Sequence, residues 1–514
     1  MGSLREVNPS PWVTDGDAEH FPSLPDDARV DVVIVGAGIT GLTSARILAE
    51  AGATVVVLDS GPVCAGATGY TTAKVTALHR LVYRELIDRH GDERARAYAN
   101  ANQSAVRTVA ELARADNIDC DLSIAAAVTY TERDETVADI EAEAEACQRV
   151  GMPVDFITAT ELPYPVKAAV RLDDQLHFHP RRYCVGLARK IESMGSAIHE
   201  DTRALQVTTG APGVSVTTAR GTVTAEFAVL ATHLPFLDRG GFFARAHPYR
   251  SYALSVRLRG DVPEAMYISA EDPTRSLRPA PGGRLIVGGE GHKTGRDPDT
   301  QQRYAALEAW ARSRFDVQDL EQRWSAQDYV TVDGLPYVGR LRRNEERVLV
   351  ATGFRKWGMT NGTAAAQMLA DAILGRENPW QQAFDATRLA PRPSFMSFVR
   401  ENVDVARRFL GDRFARSRAG TAEALGAGEA GIVDHEQRRM ACYRDHDGSI
   451  HAVSPTCTHL GCEVTFNTAE RTWDCPCHGS RFDVDGRVLE GPALTDLEST
   501  ASTKPGTEGA EGPR

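Results

Sequence analysis

The sequence lacks any apolar run long enough to cross a lipid bilayer, which takes about 18 or more residues. Its first residues, MGSLREVNPSPW, are polar and contain no signal-peptide core. Basic residues are in the minority, because 58 Lys and Arg stand against 70 Asp and Glu, giving a formal net charge of −12. Nucleic acids and anionic membranes both require a basic surface, so neither is an expected partner. These absences predict a cytoplasmic protein without a membrane span.

Cysteine is also scarce, with nine in 514 residues. Four of the nine lie close together between residues 457 and 477, in a stretch that also contains two histidines. The other five are scattered, as is typical of buried thiols: Cys64, Cys120, Cys147, Cys184 and Cys442. A chain of this length with 42% hydrophobic and 25% charged residues is typical of a globular protein with two or three domains.

Thiol and imidazole groups occur together in two short motifs near the C-terminus. Cys457-x-His459 is followed, after 15 residues, by Cys475-x-x-His478. An iron pair with thiolates on one iron and neutral imidazoles on the other uses such a mixed set and transfers one electron at a time. Tetrahedral zinc is the alternative, since Cys2His2 sets also bind it. Zinc sites of that type usually group the two cysteines in one motif and the two histidines in the other, so the spacing favours iron.

The stretch CTHLGCEVTFNTAERTWDCPCHGS resembles Rieske [2Fe-2S] domains of the disulfide-bearing form. The resemblance implies a small all-β module in which one iron has two sulfur ligands and the other has two nitrogen ligands. The implied ligands are Cys457 and Cys475 for the first iron and His459 and His478 for the second. The resemblance also implies a disulfide between Cys462 and Cys477, which would be unusual in a reducing compartment.

Two positions beyond the second motif bear on the reduction potential of such a cluster. In the Rieske family a Ser and a Tyr often donate hydrogen bonds to the cluster sulfurs and raise the potential. Ser480 matches the first, but Phe482 stands where the Tyr would be. We therefore expect a potential below the top of the Rieske range of roughly −150 to +300 mV.

A strand, a glycine turn, a helix and a second strand follow one another between Asp31 and Asp59. An apolar run leads into Gly36-x-Gly38-x-x-Gly41, and Asp59 ends the second strand 23 residues after Gly36. The separation typical of dinucleotide sites is roughly 20 residues. The glycines let the backbone approach a pyrophosphate, the helix N-terminus supplies positive potential and the acid binds ribose hydroxyls. This order predicts a dinucleotide site.

Two later segments indicate FAD rather than NAD. Residues 225–236 contain an apolar strand ending in Ala231-Thr232, and residues 347–375 contain a strand, a glycine turn and a helix. With them, residues 31–375 resemble the D-amino-acid-oxidase (DadA-like) flavoproteins. The resemblance implies an α/β Rossmann-like FAD domain of the glutathione-reductase type with an inserted α+β substrate domain. The implied FAD-binding residues are Gly36, Gly38, Gly41, Asp59, Thr68, Thr71, Thr72, Gly353, Gly358, Met359 and Thr360.

The chain divides into five regions on this interpretation. We expect an extended N-terminal arm (1–29), the FAD-dependent oxidoreductase (31–375), a linker with a helix (376–420), the Rieske domain (421–497) and a disordered tail (498–514). Within the oxidoreductase, the FAD parts are about 31–77, 151–239 and 326–375. The substrate parts are about 78–150 and 240–325.

The substrate side departs from the family pattern at one position. Where the amino-acid-oxidising members usually have an Arg that binds the substrate carboxylate, this sequence has Asp328. That substitution permits a cationic substrate or one without a carboxylate. The catalytic candidates are Lys356, Arg250 and His292. Because no Cys lies between Cys184 and Cys442, we expect noncovalent FAD unless Cys64 attaches it.

The function predicted from these resemblances is oxidation of a small amine, amino acid or related substrate by hydride transfer to FAD. Electrons then pass singly through the Rieske cluster to an external acceptor. Two alternatives remain at this point. An electron-donor protein feeds the cluster and the flavin acts as a reductase or monooxygenase, or the protein is a redox sensor with the cluster and the disulfide as its switch.

Overall fold

The computed structural model of the protein describes residues 7–14, 19–211, 213–297, 299–388, 422–435 and 438–499. The strands, in chain order, are β1 (Ala28–Val35), β2 (Val55–Leu58), β3 (Lys74–Val75), β4 (Ser123–Thr131), β5 (Val154–Ile157), β6 (Ala168–His177), β7 (Ala197–His199), β8 (Ala204–Thr209), β9 (Val214–Thr218), β10 (Thr222–Leu230), β11 (Ala246–Leu258), β12 (Met266–Ser269), β13 (Arg275–Ala280), β14 (Arg284–Lys293), β15 (Val317–Thr331), β16 (Tyr337–Arg342), β17 (Glu345–Thr352), β18 (Ala430–His435), β19 (Arg438–Arg444), β20 (Ile450–Val453), β21 (Thr465–Asn467), β22 (Thr472–Asp474), β23 (Arg481–Phe482) and β24 (Val488–Glu490). The α-helices are α1 (Pro11–Thr14), α2 (Ile39–Glu50), α3 (Tyr83–His90), α4 (Asp92–Ala115), α5 (Val137–Arg149), α6 (Pro180–Ser193), α7 (Phe242–Arg245), α8 (Gln301–Arg314), α9 (Gly358–Ile373) and α10 (Gln381–Phe384).

The first sheet has eight strands and a parallel centre in the order β17-β10-β1-β2-β7. The last four residues of β1 and all of β2 are buried, as expected for strands covered on both faces. The carboxyl ends of parallel strands meet at one edge of a sheet. The turns after β1, β2, β10 and β17 therefore meet at one site, and residues predicted to bind FAD follow β1, β2 and β17.

The second sheet has nine strands and forms the substrate side of the molecule, in the order β15-β11-β14-β13-β12-β4-β6-β3 with β5 beside β6. Its extent differs from the predicted domain parts. Strands β5 and β6 lie in this sheet, although residues 151–239 were assigned to the FAD part. β3 and residues 326–331 of β15, also assigned to the FAD part, belong to it as well. Hydrophobic alternation identifies a strand but not the sheet that it joins.

The C-terminal module contains a three-stranded sheet, β18-β19-β20, and a four-stranded sheet, β21-β22-β23-β24. A cluster of buried residues that includes Tyr443, Phe466, Trp473 and Phe482 fills the space between them. The all-β module predicted from the sequence is therefore present. The linker helix expected near residues 395–414 and the tail after residue 499 lie outside the described residues.

The N-terminal arm contains a short helix and packs against two domains. Trp12 in α1 is buried and donates a hydrogen bond from Nε1 to the Thr71 carbonyl at 2.7 Å. Asn8 donates from Nδ2 to the Ala469 carbonyl of the C-terminal module at 2.9 Å. The arm is thus partly helical rather than fully extended, and it connects the predicted flavin loop to that module. Among the helices of the described residues, none has the length and apolarity that a membrane span requires.

Candidate active site and metal centre

A cavity of about 2370 Å³ lies between the two large sheets and reaches the C-terminal module. Nine of the predicted cofactor and catalytic residues line it: Gly36, Gly38, Asp59, Thr68, Thr71, Thr72, Lys356, Gly358 and Met359. Gly41, Gly353 and Thr360 are packed behind this wall rather than in it. The turns that the parallel sheet brings together therefore form one continuous surface.

The glycine turn after β1 is shaped for close approach of a ligand to the backbone. Gly36 has φ of +114°, and a methyl group on it would lie 2.4 Å from the Ala231 carbonyl oxygen. A methyl group on Gly38 would lie 2.9 Å from Thr68 Oγ1. Gly36 therefore cannot be replaced without strain, and a side chain at Gly38 would displace the Thr68 hydroxyl, so the turn leaves a cradle at the N-terminus of α2.

Asp59 is positioned by backbone donors at the end of β2. Its Oδ2 accepts a hydrogen bond from the Ala37 amide at 2.7 Å, and its Oδ1 accepts one from the Gly61 amide at 3.0 Å. Burial raises the pKa of Asp59, and these amide hydrogen bonds oppose that effect. The carboxylate joins the glycine turn to the loop after β2, where ribose hydroxyls would bind.

A second helix begins at the cavity. Gly358 and Met359, the first residues of α9, line it, and no side chain caps the start of the helix. The free N–H groups and the positive end of the helix dipole therefore face the cavity. A methyl group on Gly362 would lie 2.6 Å from Thr40 Oγ1 in α2. Both helix N-termini thus serve one site.

His79 fixes the residues that precede α9. Its ring stacks on Trp357 at 4.5 Å, and its Nε2 lies 2.7 Å from the Thr76 carbonyl oxygen and 3.1 Å from Thr360 Oγ1. Burial lowers the pKa of His79 to about 3, so the ring is neutral. Thr360, predicted to contact FAD, therefore supports the site from behind through His79.

Lys356 places a cation on the substrate side of the cavity. Its Nζ lies 4.0 Å from the centroid of the Tyr249 ring, which also lines the cavity. A methyl group on Gly291 would lie 3.0 Å from that Nζ and 3.2 Å from Ser251 Oγ. A methyl group there would also lie 2.5 Å from Tyr249 Cε1, so glycine at this position lets the Tyr249 ring pack beside the ammonium and the hydroxyl. Enclosure by the protein lowers the pKa of Lys356 to about 8.

Asp328, which stands where the family has its carboxylate-binding Arg, is engaged by the protein itself. Its Oδ1 lies 3.2 Å from His233 Nε2, and its Oδ2 accepts a hydrogen bond from the Lys356 amide. Lys356 has φ of +71°, an uncommon conformation for a non-glycine residue. Asp328 thus holds the backbone turn that presents the lysine to the cavity.

His233 connects the FAD sheet to the C-terminal module. Its Nδ1 lies 3.1 Å from Glu490 Oε1, while Nε2 faces Asp328. Burial alone would lower the pKa of His233, but the hydrogen bonds to these two carboxylates raise it to about 9. The imidazolium therefore bridges two acids that belong to different domains.

Arg250 and His292 do not reach the cavity, which corrects their selection as catalytic candidates. Arg250 is fully buried on the opposite face of β11, where it donates to Ser325 Oγ at 2.8 Å and lies 3.6 Å from Asp474. His292 Nε2 lies 3.0 Å from the Tyr252 hydroxyl. Neither is among the described residues that line the cavity. The strand neighbours Ser251 and Gly291 line it instead, because alternate residues of a strand face opposite sides.

The two predicted metal-binding motifs form equivalent loops. In the first, the Cys457 amide donates to the Cys462 carbonyl at 2.8 Å, and in the second the Cys475 amide donates to the Ser480 carbonyl at 2.8 Å. Each loop also contains a glycine amide that donates back to the first cysteine at 3.0 Å. A disulfide between Cys462 and Cys477 joins the two loops.

The side chains of these loops fit the metal site that the resemblance implies. The His459 and His478 ring centroids are 5.0 Å apart, and the Nδ1 atoms of both rings are buried without a hydrogen-bond partner among the described residues. The hydrogen bond with Cys475 lowers the pKa of Cys457 to about 7, against the effect of burial. The two thiols are thus paired with each other and the two rings, each with an unpaired Nδ1, lie side by side, which fits one sulfur-bound and one nitrogen-bound iron.

The metal-binding loops face the oxidoreductase rather than open solvent. The Tyr329 hydroxyl donates to the His478 carbonyl at 2.9 Å, and Gln327 Nε2 donates to the Gly479 carbonyl at 2.8 Å. Phe243 packs edge-on against His478, with 5.5 Å between the centroids. Both histidine side chains are at most 6% exposed.

Sequence reasoning missed several residues that the fold brings to this junction: Asp238, Phe243, His233, Tyr329 and Glu490. The position of His233, two residues after Ala231 at the end of a predicted FAD strand, was a usable signal. The others carried none, because their roles depend on how two domains pack together.

Two family models match separate parts of this chain. The sequence model described as FAD dependent oxidoreductase matches residues 31–372, and the Rieske [2Fe-2S] domain model matches residues 417–501. The Bacillus subtilis (strain 168) protein YhfW, named as a Rieske 2Fe-2S iron-sulfur protein, is 38% identical over 96% of this chain and 98% of its own length. Glycine oxidase of Bacillus licheniformis is 28% identical over 70% of this chain and 98% of its length. The crystal structure of glycine oxidase from Geobacillus kaustophilus superposes with a TM-score of 0.61 at 20% identity, covering 70% of this chain and 99% of that one.

Proposed function

Because this chain belongs to the family of FAD dependent oxidoreductases and carries a Rieske [2Fe-2S] domain, we propose that it oxidises a small amino acid or amine and passes the electrons on within the same chain. The enzyme class is FAD-dependent oxidoreductase with an iron–sulfur centre. The proposal concerns the substrate, the hydride transfer and the route of the electrons.

One observation carries the proposal: the Rieske module forms part of the wall of the FAD cavity. Residues 487–494 and Asp496 line the same cavity as Gly36, Lys356 and Gly358. Two side chains of β15, Gln327 and Tyr329, donate hydrogen bonds to the loop that carries His478. A close fit of this kind supports electron exchange inside one chain.

The chemistry at the two centres belongs to the cofactors, and the protein supplies binding and orientation. FAD, when bound, accepts a hydride from a substrate C–H and can release electrons one at a time. A Rieske cluster, when bound, carries one electron. The glycine turn and Asp59 would hold the pyrophosphate and ribose, and the start of α9 would direct positive potential at the flavin ring.

The charges around the substrate side favour a carboxylate-bearing substrate over a cationic one. Asp328, which replaces the family's Arg, is engaged by His233 and by the Lys356 amide. The Lys356 ammonium faces the cavity beside Ser251 and Tyr249. The name of the glycine oxidase relative agrees with an amino acid as substrate. We therefore assign Lys356 to the carboxylate and keep neutral amines as the second class.

An external electron acceptor completes the proposed cycle, and a cytoplasmic location is part of the proposal. Both histidine ligands are turned inward, so the external partner would reach the cluster from the other side of the module or reach the flavin directly.

The experiment is an anaerobic titration of the purified holoprotein with amino acids, amines and NAD(P)H. Flavin absorbance reports on the first centre, and the EPR signal of the reduced cluster reports on the second. We expect an amino acid to bleach the flavin and the cluster signal to grow afterwards.

Three other outcomes would contradict the proposal. Reduction of either centre only by NAD(P)H or an added electron-donor protein would mean that electrons enter from outside, as in a reductase or monooxygenase. Flavin bleaching with a cluster that stays oxidised through turnover would remove the internal route. A protein that turns over no substrate but changes partner binding with cluster state would be a sensor.

A further inference from the structure

A carboxylate of the FAD domain contacts a predicted cluster ligand across the domain boundary. Asp238 lies in the loop between β10 and α7, and its Oδ1 is 3.0 Å from His459 Nε2. The Nδ1 atom of the same ring is buried and has no hydrogen-bond partner among the described residues. Nδ1 is therefore the nitrogen left for iron, and Nε2 carries the proton that it donates to Asp238.

The loop that carries Asp238 is held by its neighbours rather than free to swing. Arg239 NH1 forms an ion pair with Glu345 Oε1 at 2.7 Å, and NH2 donates to the Val207 carbonyl. Phe243 lies edge-on to the His459 ring, with 6.4 Å between the centroids. The ring thus has a charged partner on one side and an apolar one on another.

A carboxylate that accepts a hydrogen bond from a metal-bound histidine increases the electron density of that ligand and orients its ring. An added electron is then less favourable on the iron, because the carboxylate charge already stabilises the more positive, oxidised form. Hydrogen bonds to the sulfurs act in the opposite direction. Phe482 stands where a Tyr would donate such a hydrogen bond, so its presence also favours a lower reduction potential.

We propose that Asp238 is a positioning residue of the Rieske cluster that lowers its reduction potential through His459, across the contact between the module and the FAD domain. The proposal rests on the cluster part of the proposed function but not on the substrate or the direction of electron flow. The contact between the two domains would thereby set the reduction potential of the cluster that exchanges electrons with the flavin.

The test is a redox titration of the full-length holoprotein, followed by the EPR signal of the reduced cluster. Asp238→Asn keeps an acceptor oxygen for Nε2 but removes the charge, and Asp238→Ala removes both. We expect both variants to show a more positive midpoint potential than the wild type, while Asp238→Glu stays near it. Asp261→Asn removes an exposed acid of the same domain and controls for the loss of one negative charge.

Equal midpoint potentials in the wild type, Asp238→Asn, Asp238→Ala and Asp261→Asn would overturn the proposal. A shift in Asp261→Asn as large as that in Asp238→Asn would also overturn it, because the effect would then be one of net charge. These results are distinguishable from failure of the proposed function. A protein that binds no cluster would defeat both, whereas a normal cluster with an unchanged potential would defeat only the role of Asp238.

Discussion

Lys356 owes its position to Asp328, the carboxylate that stands where the amino-acid-oxidising relatives have an Arg. Asp328 accepts a hydrogen bond from the Lys356 amide, and this contact supports the Lys356 backbone conformation with φ of +71°. The side chain then projects toward the Tyr249 ring at the cavity wall. The acid and the lysine therefore act as a unit, in which Asp328 shapes the turn and Lys356 presents the charge.

Replacing Lys356 by Met should weaken the use of a carboxylate substrate. A hydrogen bond to a charged group contributes about 1.5–3 kcal/mol, so kcat/KM should fall by roughly 10- to 100-fold, mainly through KM. The pKa of about 8 adds a pH test, because the lysine is a cation below that value and neutral above it. KM of the wild type should rise as pH increases through 8.

Steady-state kinetics across pH 6.5 to 9.5 check this prediction. Lys356→Arg, which keeps its charge over that range, should retain most of the affinity and lose the rise near pH 8. A KM of Lys356→Met equal to that of the wild type would remove Lys356 from substrate binding.

His233 should make stability depend on pH. Its pKa is about 9 in the folded protein against an ordinary value of 6.5, because Asp328 and Glu490 stabilise the cation. A raised folded-state pKa gives a stabilisation that is complete below pH 6.5 and is lost as pH rises through 9. The contribution is on the order of 3 kcal/mol at most.

Thermal unfolding of the wild type and His233→Gln at several pH values measures the effect. The difference in melting temperature should be largest below pH 6.5 and should shrink above pH 9. A difference that is the same at pH 6 and pH 9.5 would show that the imidazolium charge does not contribute.

At the scale of the element, α2 depends on the absence of a side chain at its third residue. A methyl group on Gly41 would lie 1.9 Å from the Gly36 carbonyl oxygen and 3.2 Å from Ile34 Cγ2. Alanine is favoured over glycine inside a helix by about 1 kcal/mol. The contact with backbone outweighs that gain, because the helix would have to move away from β1 and from the glycine turn.

Gly41→Ala should therefore lower the free energy of unfolding by about 2 kcal/mol and lower FAD affinity by at least about tenfold. Flavin fluorescence measures the FAD that is released on dilution, and denaturant unfolding measures stability. Gly260→Ala is the control, because a methyl group there meets no atom within 4 Å. Normal FAD affinity in Gly41→Ala would mean that the turn adapts to the extra methyl.

At this scale, whether a feature is local in the chain decides how much of the site was predictable from the sequence. The glycine turn, Asp59 and the two metal-binding loops are local, so spacing along the chain identified them. Arg250 and His292 were wrong choices because sequence shows that a strand is present but not which face of the sheet its residues occupy. Their neighbours Ser251 and Gly291, one residue away, line the cavity.

At the scale of the whole molecule, the contact between domains could not be read from the sequence. Tyr304 donates to Glu470 at 2.7 Å and Thr300 donates to Asn467 at 2.7 Å, each across more than 160 residues. Such pairs carry no local pattern, since any polar residue on either surface is an equal candidate. The resemblance to two families gave the modules but not the way they are joined.

Arg250, wrongly selected as catalytic, is instead the buried cation of this junction. Its guanidinium lies 3.6 Å from Asp474, and both side chains are at most 2% exposed. Breaking a buried ion pair by removing one partner costs about 3–5 kcal/mol, because the other charge stays buried without compensation. Asp474 also lies 3.5 Å from Arg481, which reduces that cost.

Arg250→Met should therefore destabilise the protein by about 3 kcal/mol and slow reduction of the cluster, while substrate bleaches the flavin at its normal rate. Stopped-flow absorbance and rapid-freeze EPR separate the two steps, and denaturant unfolding gives the stability. Arg257→Met is the matched control, because Arg257 lies on the same strand but pairs with Glu321 of the same domain.

The double variant Arg250→Met with Asp474→Asn decides whether the pair itself is responsible. Removing both charges leaves neither member of the Arg250–Asp474 pair uncompensated, and Arg481 keeps Glu490 at 3.6 Å. The double variant should therefore lose less stability than the sum of the two single variants. Additive losses would mean that Arg250 acts through packing alone. Equal slowing of cluster reduction in Arg257→Met would mean that the docking contact is not what couples the two centres.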